Sequence, residues 1–106
     1  MEIGNNITYL ELEDIMQNQG FVFDEKNANT GNILDKVMLL KYYYRYSHKI
    51  YARVYVNSRT NMVTSFYIDC NTLSISVYNA VNQIKILLLS EIKILIRDKT
   101  IESLLN

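Results

Sequence analysis

Catalysis by this chain would have to run through very few side chains. Nucleophilic catalysis needs a serine or cysteine activated by a neighbouring base, and a metal site needs several His, Cys or carboxylate ligands that converge. There is one histidine, His48, and one cysteine, Cys70. His48 stands in Ser47-His48-Lys49, which reads as a hairpin turn. Cys70 falls at an inward-facing strand position, where a free thiol acts as a small apolar filler. The glycines Gly4, Gly20 and Gly31 form no phosphate-cradling loop. The expectation is a chain with no catalytic residue, no cofactor and no metal. Glu91 is the carboxylate out of pattern. It falls inside the apolar arc of the last helix, where an unpaired charge is costly. It is expected to pair with a cation such as Lys36 or Lys99, or to turn outward at a kink at Ser90-Glu91, with a functional acid of raised pKa as the alternative.

The residue types that do recur at useful spacing are tyrosines and cations. Lys41, Tyr43, Arg45, Tyr51, Arg53, Tyr55 and Tyr67 are all odd-numbered, and side chains two apart on a strand share a face. The expected register sets Arg45 beside Tyr51 and Tyr67, Tyr43 beside Arg53 and Ser65, and Lys41 beside Tyr55 and Val63. Such a checkerboard stabilises a solvated sheet face by roughly 0.2 to 1 kcal/mol per cross-strand pair. Left uncovered, it is also a flat aromatic platform of the kind that binds protein surfaces or nucleic acid.

These residues need a sheet to hold them. Even-numbered positions supply its inner face: Met38, Leu40, Tyr42, Tyr44 and Tyr46 on a first strand, Ile50, Ala52, Val54 and Val56 on a second, Met62, Phe66, Ile68 and Cys70 on a third. Keeping even residues opposite even ones requires odd-length connections, here three residues at Ser47-His48-Lys49 and five at Asn57 to Asn61. Ahead of the strands, Thr8-Tyr9-Leu10-Glu11 is a capping box that starts a helix carrying Leu12, Ile15 and Met16, and Gly20 stops it. Phe21-Val22-Phe23 reads as a short extended piece, and 24–35 as a polar, mobile loop. A long helix begins near Asn71 to Ser76 and reaches about Arg97, leaving 99–106 as a tail. Val77, Ala80, Val81, Ile84, Leu87, Leu88, Ile94 and Leu95 form its core stripe, and Leu89, Ile92 and Ile96 widen this arc beyond that of an ordinary surface helix, so they need a cover: the first helix, the tail, or a second copy in a homodimer.

The predicted architecture is one α+β domain over 1–106: an N-terminal helix, a three-stranded antiparallel meander and a long C-terminal helix packed on one sheet face. This α-β-β-β-α order resembles that of double-stranded RNA-binding domains. The resemblance implies RNA contacts from the first helix, the first strand connection and a lysine-rich start to the last helix. Only Ser47-His48-Lys49 lies at such a position; the first helix is acidic and Asn71 to Ser76 has no lysine, so the likeness is one of topology.

Composition bounds the rest. A chain of 106 residues with 49% hydrophobic and 21% charged side chains has the makings of one packed core. A single cysteine forms no internal disulfide, and Met1 to Asn6 does not read as a signal peptide, so a cytoplasmic setting is expected. The greasiest run, Ile84 to Ile96, contains Lys85, Glu91 and Lys93 and is too short to span a membrane. The net charge is zero but segregated: Glu2, Glu11, Glu13, Asp14, Asp24 and Glu25 come first without a cation, and Lys36 to Arg59 carries cations without an anion. The sequence therefore predicts a protein-interaction module that is not an enzyme and docks a protein partner through its basic Tyr/Arg face. The alternative is a nucleic-acid-binding domain using the same face. Abundant Asn, Ile, Lys and Tyr without Pro or Trp indicate AT-rich coding, as in phage and mobile elements, where small chains inhibit host defence proteins; the cytoplasm is then the host's.

Overall fold

The computed structural model describes residues 6–28 and 37–105. The elements are α1 (Tyr9–Asn18), β1 (Phe21–Ala28), β2 (Val37–Tyr44), β3 (Ile50–Asn57), β4 (Val63–Cys70) and α2 (Ile75–Leu105). The strands form one antiparallel sheet in the order β1-β2-β3-β4. The fold is α+β as the sequence predicts, with one strand more than expected.

That strand, β1, grows from Phe21-Val22-Phe23 through residues predicted to be loop. A register shift between Phe23 and Glu25 breaks the two-residue period, after which Glu25 pairs with Lys41 and Lys26 with Leu40. Residues 24–28 of the predicted mobile loop are thus edge strand, and 29–36 lie outside the described residues. With four strands the order is α-β-β-β-β-α, and the topological likeness to double-stranded RNA-binding domains ends there. The predicted tail is a second correction, because α2 continues to Leu105.

Parity survives. Met38, Leu40, Tyr42, Ile50, Ala52, Val54, Val56, Phe66 and Ile68 are all buried. They meet Leu12, Ile15 and Met16 of α1 and Val81, Ile84, Leu88 and Ile92 of α2 in one core, so both helices cover the same sheet face. Register is a third correction. The first connection is Arg45 to Lys49, five residues and not three, so Lys41 pairs with Arg53 and Tyr43 with Tyr51. Five is still odd, which is why the inner face keeps its even residues. The five-residue turn is closed by its own backbone, Ser47 N–H donating to the Tyr44 carbonyl at 3.3 Å and Ile50 N–H to the Ser47 carbonyl at 3.2 Å, while Arg45 N–H extends the β1–β2 ladder to the Gly20 carbonyl at 2.9 Å. On β4 a bulge opposite Tyr55 and Val56 brings Val63, expected on the outer face, into the core at 0% exposure.

The amino-terminal segment is tied to the far edge of the sheet. Ile7 is fully buried, its carbonyl accepts from Val63 N–H at 2.9 Å, and Tyr9 N–H donates to the Asn61 carbonyl at 3.0 Å. Thr8 then caps α1. Its hydroxyl accepts from Glu11 N–H, while a Glu11 carboxylate oxygen accepts from Thr8 N–H at 2.9 Å, the reciprocal pair that the sequence predicts.

Candidate partner-binding face

The outer sheet face carries three ranks of side chains. Across β2, β3 and β4, Leu39, Tyr55 and Ser65 form one rank; Lys41, Arg53 and Tyr67 the next; Tyr43, Tyr51 and Asp69 the third. Six of the seven predicted residues therefore share this face, shifted by two positions in their cross-strand partners. Tyr43 and Tyr67 are 46% and 39% exposed, and Lys41, Tyr51, Arg53 and Tyr55 are half-buried. Arg45 is the exception. It lies in the turn after β2, exposed, with its guanidinium 5.4 Å from the Tyr46 ring centroid.

Lys41 and Arg53 sit directly opposite one another, a cross-strand pairing of like charges that is unfavourable unless anions intervene. Two do. Glu25 of β1 accepts from Lys41 Nζ at 3.0 Å, and Asp69 of β4 accepts from Arg53 Nη2 at 3.0 Å. Neither ion pair was legible: Glu25 stands in a stretch whose polarity masks a strand, and Asp69, on the outer face by its parity, comes within reach of Arg53 only once the register is shifted. Arg53 is the hub. Its Nη1 reaches the Tyr55 hydroxyl at 3.4 Å, its guanidinium lies 5.4 Å from the Tyr67 centroid, and Tyr55 meets Tyr67 edge to face at 5.9 Å. Burial acts to lower the Arg53 pKa, but the hydrogen bond to Asp69, with the surrounding Tyr55, Asp69 and Tyr51, outweighs it and moves the pKa up. The β1 bulge leaves a concavity of about 320 Å³ on the sheet, bordered by Glu25, Lys41, Tyr43, Tyr51 and Arg53.

The other singled-out residues lie elsewhere. His48 is exposed in the turn, and Cys70 is half-buried with its thiol 3.7 Å from the Thr72 carbonyl. Glu91 takes neither predicted lysine. It accepts from Gln19 Nε2 at 3.0 Å, and α2 passes through Ser90-Glu91 without a break. Lys99 goes instead to Glu11 at 2.8 Å, and Lys36 lies outside the described residues. Ile92 is only 3% exposed, and Leu89 and Ile96 are half-buried. The predicted cover face is thus largely covered by the protein's own fold. Among the described residues no group of three His, Cys, Asp or Glu could hold a metal ion, and no helix is long and apolar enough to cross a membrane.

No protein-family model, no curated protein and no solved structure matches this chain.

Proposed function

We propose that this chain is a non-catalytic protein-interaction module that docks a partner protein on the outer face of its sheet. The observation that carries this reading is the pairing of both central cations within the face itself, Lys41 to Glu25 and Arg53 to Asp69. A polyanion gains affinity by placing phosphates on free cations and releasing their counterions. Here a phosphate at either central cation would first have to displace a carboxylate. A protein partner meets a neutralised surface studded with Tyr43, Tyr51, Tyr55 and Tyr67, whose rings offer large buried area at low entropic cost. The finer reading, an inhibitor of a host defence protein encoded by a phage or mobile element, rests on composition together with this face.

The test is capture by the tagged chain in cells of its source, with Tyr43→Ala/Tyr67→Ala as the control and with oligonucleotide binding measured alongside at low and high salt. A protein held by the wild type and lost by the control, with no oligonucleotide bound, is the expected result. Oligonucleotide binding that is abolished by salt and weakened by Arg53→Ala would overturn it in favour of the nucleic-acid reading.

A further inference from the structure

The exposed side of α2 carries an apolar surface apart from Leu89, Ile92 and Ile96, and it includes Leu87 and Ile94, which helical periodicity places in the core stripe but the structure leaves half exposed. Leu87, Ile94 and Ile101 follow one another at intervals of seven and are 51%, 46% and 47% exposed. At about 100° per residue they trace a single line drifting slowly around the helix, roughly 21 Å long, with one apolar side chain every two turns. Leu104 and Leu105 extend its end and are each 81% exposed. The line is flanked unequally. Lys93 and Arg97 lie on one side of it; Glu91 and Asp98 lie on the other. Beyond the acidic flank is a groove of about 380 Å³ between α1 and α2, with Ile15 and Leu95 among its lining and Glu11 and Asp14 adding to its acidic rim.

A second copy of this chain fits both features at once. We propose that α2 joins two copies in parallel, Leu87, Ile94 and Ile101 of each meeting their counterparts, with the Lys93/Arg97 flank of one helix lying along the acidic flank of the other. Symmetry selects the direction. A two-fold axis running along the helices turns each flank onto the opposite flank of the partner, so base meets acid twice. An antiparallel pair keeps each flank against its own copy and sets Glu91 near Asp98, acid on acid. Within one copy Arg97 meets Asp98 only at 3.5 Å on an open surface, a contact that surrenders little when the flanks are exchanged. The pairing removes from water apolar side chains that the described residues leave about half exposed, and it leaves the outer sheet face of each copy open, so it stands independently of the proposed docking function.

Analytical ultracentrifugation of the full chain tests this. The wild type is expected to dimerise at tens of micromolar, and Ile94→Glu, at a half-exposed position, to remain a folded monomer by circular dichroism. Lys93→Glu/Arg97→Glu and Glu91→Lys/Asp98→Lys are each expected to be monomeric alone and to form a one-to-one dimer when mixed. In a Cys70→Ser background, Ile101→Cys is expected to cross-link to itself on mild oxidation. A wild type that stays monomeric at hundreds of micromolar overturns the proposal, as does a dimer indifferent to Ile94→Glu. Preferential cross-linking of Leu87→Cys to Ile101→Cys overturns the parallel arrangement.

Discussion

At Gly20 one hydrogen atom in place of a methyl group closes the end of α1. Its φ is +106°, a region that L side chains rarely adopt, and a Cβ there would stand 2.6 Å from Tyr46 Cε2 and 3.2 Å from Tyr44 Cε1. Tyr44 is held between Phe21 at 5.0 Å and Tyr46 at 5.3 Å, whereas Tyr46 is 70% exposed and has room to move. Gly20→Ala therefore combines backbone strain with a steric clash and is expected to lower stability by about 1 to 3 kcal/mol. Urea denaturation measures this, and an unchanged midpoint would mean that the tyrosines simply swing aside. The stop at Gly20 was legible because glycine after an amphipathic run has one common use. The aromatic seal was not, because alternation alone extends β2 through Tyr46 and hides the turn. Asp69 escaped for a related reason: its role depends on which residue lies opposite, and a shift of two leaves the hydrophobic pattern unchanged while replacing every partner.

Helix α1 shows how one element is held by contacts at its ends as much as by its buried stripe. Glu11 closes the capping box with Thr8 and also accepts from Lys99 Nζ at 2.8 Å, while Lys99 donates to the Asn6 carbonyl at 3.1 Å. Burial by itself would raise the Glu11 pKa. The hydrogen bonds from Lys99 and from the Thr8 backbone and hydroxyl, with the lysine charge, reverse this and hold the carboxyl below its ordinary value of 4.5. A carboxylate depressed on folding contributes stability that is complete above the unfolded pKa and is lost as pH falls through the folded one. Wild-type thermal stability should thus drop more steeply than that of Glu11→Gln once the pH falls below about 4.5. Parallel curves for the two proteins would show that the clamp between α1 and α2 adds nothing. The capping box was legible in four consecutive residues. Lys99 was not, because the polar run Arg97-Asp98-Lys99-Thr100 interrupts the apolar pattern and the remainder reads as a tail. Strand β1 was lost similarly: its alternation lasts three residues before the bulge, and the polar remainder carries the composition of a loop.

Across the whole molecule the sheet separates two tasks. Its inner face is buried beneath both helices, whereas its outer face is held by ion pairs and ring contacts at the surface. Stability and recognition should therefore respond to different substitutions. Leu88, at 0% exposure in the middle of α2, contacts the core that joins helix to sheet, and Leu88→Ala is expected to cost about 2 to 5 kcal/mol. Tyr67, at 39% exposure, loses one edge-to-face contact and one cation–π contact when replaced by Ala, expected to cost about 1 to 2 kcal/mol. The ordering matters for any binding measurement, because a partner lost with Tyr67→Ala in a protein that melts near the wild-type temperature has lost an anchor and not a fold. If the two variants instead destabilise equally, the outer face belongs to the structural core. The tyrosines would then be explained by packing alone, and docking would have to be sought on α2.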